Sequence, residues 1–261
     1  MSNIVTAMTF GDVTVTAGDD FVTTVEIHRP PHNYFDLALI RSLADAYEAV
    51  DGRADCRAIV LCADGKSFCA GADLGRATPD TGGPAALYTE AARLFDAATP
   101  VVAAVHGAAI GGGLGLACSA DFRVGCPEAR FSANFARLGF HHGFGLSVTL
   151  PAIVGQQAAL DLLYTGRRIG GEEAARLGLC DRLVEAGAVR NAAHALAADI
   201  AASAPLAVRS IRATMRGDLA ARFRLAPARE AAEQERLRTT RDFVEGVRAT
   251  AERRPPRFEG R

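Results

Sequence analysis

Residues 101–125, VVAAVHGAAIGGGLGLACSADFRVG, decide the fold. Val101 to Val105 form a short, wholly apolar run of the kind that makes a strand buried on both faces. The stretch near Leu114 to Ser119 reads as a helix of small and apolar residues, and Phe122 to Gly125 as the next strand. A strand, a glycine loop, a helix and a strand in such close succession form a βα unit feeding a parallel sheet.

The alternation extends toward the N-terminus. A helix is expected from about Ala85 to Ala97 and a strand at Ala58 to Cys62. Over residues 36–51, Leu39, Leu43, Ala46, Tyr47 and Val50 share one helical face, with Asp36 where an N-cap belongs. Before it, Val13 and Val15, then Phe21, Thr23, Val25 and Ile27, alternate in period two around a Gly18-Asp19-Asp20 turn, which describes a hairpin. Beyond Leu146 the chain is alanine-rich and helical, and is expected to add helices and no further sheet. RATPDTGGP (Arg76 to Pro84) resembles a linker and is expected to be a mobile loop near the first glycine loop.

Composition bounds the function. With 261 residues, 49% of them hydrophobic, the chain buries a substantial core. Its formal charge of -1 supplies no global field for nucleic acid or an anionic membrane, so neither is expected as a partner. The six cysteines, Cys56, Cys62, Cys69, Cys118, Cys126 and Cys180, lack CxxC pairing or histidines at metal spacing, so reduced buried thiols and no metal site are expected. The N-terminal stretch has neither the charged region nor the apolar run of a leader, and no apolar stretch is long enough to span a bilayer. A cytoplasmic location is the expectation.

Two glycine-containing loops, at residues 68–74 and 107–115, carry the chemistry. In the second, Gly111, Gly112 and Gly113 lead from a strand into a helix whose first amides are unpaired donors at the positive end of its dipole. A nucleotide P-loop is excluded because Leu114 and Gly115 stand where Lys and Ser or Thr belong. A dinucleotide fingerprint is excluded because Leu116 occupies the third glycine position. An oxyanion hole requires only converging backbone donors in a dry pocket. The first loop, Ser67-Phe68-Cys69-Ala70-Gly71-Ala72-Asp73-Leu74, follows a strand and pivots on glycine, and so offers the second donor.

HRPPHN (28–33), SFCAGADL (67–74), residues 99–124, FSANFARLGF (131–140), expected to be helical, GRRIGGEEAARLGLCDRLV (166–184) and RRPPRFEGR (253–261) together resemble the crotonase superfamily, the enoyl-CoA hydratase and isomerase group, over essentially the whole chain. The resemblance implies an α/β fold: a spiral of ββα units over residues 1–200, followed by a helical region, 201–261, that forms a homotrimer or hexamer and caps active sites. It implies an acyl-CoA thioester as ligand, with coenzyme A part of the substrate and no separate cofactor. Its carbonyl would be held by the amides of Ala72 and Gly112. Ala70, Asp73, Leu74 and Gly111 would line the ligand site, and Phe258 would close the site of a neighbouring subunit.

The resemblance also marks two departures. The hydratases of this group carry paired glutamates for acid and base work. Gly115 occupies the place of one, and Phe135 the place of the other, where it adds apolar bulk to the pocket. His141 and His142 are the nearest titratable replacements on the matched segment. Tyr88, Glu90, Asp121, Cys69 and His106 are weaker candidates, each with an ordinary structural role available, and His28, His32 and His194 have no convergent partners visible in the sequence. Two functions follow: a family enzyme with a non-standard acid or base, or an acyl-CoA-binding protein without catalysis.

Overall fold

The computed structural model describes residues 7–73 and 83–261. In chain order the strands are β1 (Ala7–Phe10), β2 (Val13–Ala17), β3 (Val22–Ile27), β4 (Ala58–Ala63), β5 (Ser67–Cys69), β6 (Val101–Val105), β7 (Ala108–Ile110), β8 (Phe122–Gly125), β9 (Arg130–Ser132), β10 (Arg168–Gly170) and β11 (Arg182–Leu183). The helices are α1 (Leu37–Val50), α2 (Gly83–Asp96), α3 (Gly112–Ser119), α4 (Leu146–Val154), α5 (Gln156–Thr165), α6 (Gly171–Arg176), α7 (Val189–Ala201), α8 (Pro205–Arg238) and α9 (Arg241–Ala251).

The expected hairpin is β2 and β3, paired antiparallel from Val13 opposite Ile27. The helix expected over 36–51 is α1. The Asp36 side chain accepts from the Leu39 amide at 2.9 Å, and Leu39, Leu43, Ala46, Tyr47 and Val50 are all buried. β4 and β6 are buried along their whole length, which requires cover on both faces of the sheet.

Two sheets organise the chain. The larger runs β1-β2-β3-β4-β6-β8-β11, parallel from β3 onward, and the smaller runs β10-β9-β7-β5. Each successive unit sends its first strand into the larger sheet and its second into the smaller. β4 with β5 precedes α2, β6 with β7 precedes α3, and β8 with β9 precedes a 3₁₀ turn at Asn134–Leu138 and α4. This is the ββα spiral that the resemblance implies.

Three expectations need correction. Ser67–Cys69 and Ala108–Ile110, expected as loop, are strands β5 and β7; FSANFARLGF, expected as helix, is β9 and a 3₁₀ turn; and the second half does add sheet, as β10 and β11. Each of these strands has two or three residues, too few for an alternation to show. Their neighbours define them: β9 pairs parallel with β7 and antiparallel with β10. No described helix is long and apolar enough to cross a membrane.

Asp121, just before β8, ties α8 to the core. Its carboxylate accepts from the Val101 amide at 2.8 Å and pairs with Arg212 and Arg216. Asp121→Asn leaves two largely buried guanidinium groups without a counter-charge. The expected cost is about 3 kcal/mol, read as a lower urea midpoint with an unchanged m-value.

Candidate active site

The smaller sheet brings three chain segments to one edge. β5, β7 and β9 are parallel neighbours, so the residues that follow each strand emerge side by side. They deliver Ala70 to Asp73, Gly111 with Gly112, and Ala133 to Phe135. Ligands of parallel sheets bind at this carboxyl edge, and a cavity of about 1850 Å³ lies there.

Glycines let the first two segments touch backbone to backbone. A Cβ on Gly71, where φ is +91°, would sit 2.8 Å from the Ile110 carbonyl oxygen and 3.9 Å from the Gly112 nitrogen. One on Gly113 would sit 2.0 Å from the Cys69 carbonyl oxygen, closer than any side chain can come. From the other side, Phe35 N donates to Gly71 O at 3.0 Å and Ala70 N to His32 O at 2.9 Å. Asn33 pins that strap, its amide donating to the carbonyls of Asp64 and Ser67. Among the described residues the Ala72 amide donates to no backbone carbonyl, and Gly112, first in α3, has no intrahelical acceptor. Ala70, Ala72, Asp73, Gly111 and Gly112 all line the cavity.

The two departure positions are filled with apolar matter. Phe135 is 7% exposed and faces the cavity, its ring tip 3.7 Å from where a Gly111 Cβ would lie. At Gly115 the space is taken by Phe144, whose Cβ and ring atoms stand 2.6 to 2.8 Å from a Cβ there. Even alanine forces a shift, and glutamate does not fit beside that ring.

The described cavity-lining residues that carry an imidazole, carboxyl or phenol group are His32, Tyr34, Asp36, Asp73 and Tyr88. Asp36 is engaged as the α1 cap and in an ion pair with Arg29 at 2.8 Å. The Tyr88 hydroxyl donates to Gln234 Oε1 at 2.9 Å, and burial pushes its pKa upward. His32 Nδ1 lies 3.3 Å from Ser67 Oγ. Among the described residues no cluster of His, Cys, Asp or Glu is placed to hold a metal ion.

His141 and His142 are placed differently. Phe140, Gly143 and Phe144 line the cavity, while the two imidazoles, stacked 4.0 Å apart, do not. His141 Nδ1 meets the His142 carbonyl at 2.7 Å, and Gln234 donates to the His141 carbonyl. His142 Nε2 lies 3.8 Å from Glu230, a carboxylate 1% exposed. Glu230 accepts from Gly145 N at 2.8 Å and from both the amide and hydroxyl of Ser147, capping α4 from α8. Nothing near residue 142 in sequence signals Glu230 or Gln234, which arrive from α8.

The weaker candidates have structural partners. Glu90 pairs with Arg41 and Arg93, His106 Nε2 meets the Gly65 carbonyl, and burial pushes the Cys69 thiol to about 12. The C-terminal tail folds back on α9. Asp242 accepts the amides of Glu259 and Gly260, and Glu245 accepts that of Arg257 and pairs with Arg254. The tail thereby lines the cavity with Arg253 to Pro256. Phe258 is 43% exposed and does not line this chain's own cavity. Leu74 and most of the segment 76–84, expected to be a mobile loop, lie outside the described residues, and Gly83 and Pro84 begin α2.

Comparison with known proteins agrees over the full fold. The family described as enoyl-CoA hydratase/isomerase matches residues 18–261. An enoyl-CoA isomerase/hydratase of Zymoseptoria tritici is 32% identical over 262 residues, covering 92% of this chain and 84% of its own. A carnitinyl-CoA dehydratase of Proteus mirabilis is 32% identical over 249 residues, covering 92% and 95%. The crystal structure of an enoyl-CoA hydratase/isomerase from Pseudoalteromonas atlantica superposes with a TM-score of 0.84 at 29% identity, covering 95% of this chain and all of that one.

His142 supplies a pH test of the wall behind the cavity. Burial, then the neighbouring His141, lowers its pKa from 6.5 to about 4. Between those values the unfolded chain binds the proton and the folded chain does not, so stability falls as pH drops from 6.5 toward 4 and is fully present above 6.5. The loss expected is on the order of 2–3 kcal/mol. Urea denaturation across this range should show a shallower acid-side decline for His142→Gln than for the parent chain.

Proposed function

We propose, from the premise that this chain belongs to the enoyl-CoA hydratase/isomerase family, that it holds an acyl-coenzyme A thioester with the carbonyl oxygen between the amides of Ala72 and Gly112. It is an acyl-CoA-processing enzyme of that family. The observation that supports the site assignment is the backbone contact between the two loops, with Ala72 and Gly112 both lining one cavity. Two preorganised donors aimed at one oxygen stabilise the negative charge of a thioester enolate or tetrahedral intermediate more than the neutral ground state.

The proton carrier is not the glutamate pair of the hydratases, because Gly115 and Phe135 transfer no proton. His32 and Asp73 line the cavity, whereas His141 and His142 stand one layer behind it, where they position the Phe140 to Phe144 wall. Loss of activity in His32→Gln or Asp73→Asn supports a carrier in the lining, and loss confined to His141→Gln or His142→Gln supports the segment behind it. No separate cofactor enters this scheme, because coenzyme A is part of the substrate.

Residues 201–261 serve, on this reading, as the oligomerisation and capping region of a homotrimer or hexamer. Leu206, Ile211 and Met215 of α8 are 82%, 62% and 74% exposed, an apolar surface that association would cover. Phe258, outside its own cavity, is free to close a neighbour's. A cytoplasmic location fits the six cysteines, all free and buried thiols.

Exchange of the α-protons of an acyl-CoA thioester into deuterated water, followed by NMR, tests the central claim without presuming the reaction. We expect enzyme-dependent exchange that falls roughly 100-fold or more in Ala72→Pro, which deletes one donor. Binding with no exchange across the pH range favours the non-catalytic acyl-CoA-binding protein. Absence of binding refutes the proposal outright.

A further inference from the structure

We infer that Arg238 forms a subsite for an anionic group at the far end of the acyl chain, so that the preferred ligands are coenzyme A thioesters of acids bearing a second carboxylate. This rests on the acyl-CoA reading above and specifies the class of acyl group.

A row of rings leads away from the proposed carbonyl site. Phe135 stands beside Gly111, its centroid is 5.6 Å from that of Phe140, and Phe140 is 5.2 Å from Phe243. At the end of the row the Arg238 guanidinium carbon lies 5.8 Å from both the Phe140 and the Phe243 ring centroids. All four side chains line the same cavity.

The state of the other cavity cations sets Arg238 apart. Arg29 is paired with Asp12 and Asp36, and Arg254 with Glu245 and Glu252. Arg130 and Arg137 donate to backbone carbonyls. Arg238 has no carboxylate or carbonyl partner among the described residues, and stands out from Arg168 and Arg253, also without one, because it sits over the rings. Ring faces attract the flat guanidinium and leave its N–H fork available, a fork that matches a carboxylate in two parallel hydrogen bonds.

Two arms leave a bound thioester carbonyl. The pantetheine arm carries amides that require polar partners, so the apolar row suits the acyl arm. A saturated acyl tail would cover the rings and leave Arg238 hydrated; a terminal carboxylate would satisfy both. A coenzyme A phosphate offers Arg238 similar chemistry, and the experiment separates the two sources.

Isothermal titration of the whole chain would compare coenzyme A, the hexanoyl, octanoyl and decanoyl thioesters, and the matching hexanedioyl, octanedioyl and decanedioyl thioesters. At least one dioyl thioester is expected to bind roughly ten-fold tighter than its methyl-ended partner. Arg238→Gln should abolish that gain, Arg238→Lys should keep part of it, and coenzyme A itself should bind all three proteins alike. Equal affinity of the two series for the unmodified protein overturns the subsite, and this needs no variant. Equal weakening of coenzyme A and of the dioyl thioesters in Arg238→Gln also overturns it, assigning Arg238 to a phosphate. If no thioester binds, the acyl-CoA reading fails as well; if the methyl-ended series binds as tightly as the dioyl series, only the Arg238 assignment falls.

Discussion

The parallel pairing of β5, β7 and β9 is the constraint on which the site depends. Three strands of three residues each contribute little hydrogen-bond energy, yet their shared direction puts every following loop at one edge. The spacing between the first two loops is set by glycine. At Gly113 and Gly71 the neighbouring backbone occupies the volume a side chain needs, so loop-to-loop distance is a hard-sphere contact and not a balance of weak attractions. Preorganisation of that kind costs nothing at the moment of reaction, which is what an oxyanion site requires.

Behind this edge the molecule is tied together by charge. Asp121 joins the start of β6 to α8 through Arg212 and Arg216, while Glu230 reaches back from α8 to cap α4. The two carboxylates act in opposite directions across one interface: the first belongs to the core and grips the helix, the second belongs to the helix and grips the core. The cavity wall at Phe140 to Phe144 is thus fixed by α8, and the tail that completes the mouth is fixed by Asp242 and Glu245 of α9. Arg254 and Arg248 hold the Glu245 carboxyl well below its ordinary range, so this clamp persists far into acid.

Much of this was legible in the sequence. Helices with a full apolar face, such as α1, and strands buried on both sides, such as β4 and β6, carry their period in enough residues to be read directly. The paired glycine loops were legible because glycine has few reasons to recur there other than close approach. The strands of the smaller sheet were not, since three residues cannot display an alternation and their geometry is imposed by neighbours far along the chain. The placement of His141 and His142 was hidden for the same reason: a sequence shows that they flank cavity residues, but their orientation depends on Glu230 and Gln234, more than eighty residues away. Arg238 likewise gains meaning only from Phe140 and Phe243.

The contact between Gly115 and Phe144 bears on how this chain can change. A carboxylate at 115 needs the volume the ring now fills, and removing the ring first leaves an unfilled hole whose cost is about 3–5 kcal/mol. Making the changes in the other order crowds the core instead. Either single step is a loss, so the two positions move together or not at all, and the chain is held on its present side of a valley that substitution one residue at a time does not readily cross.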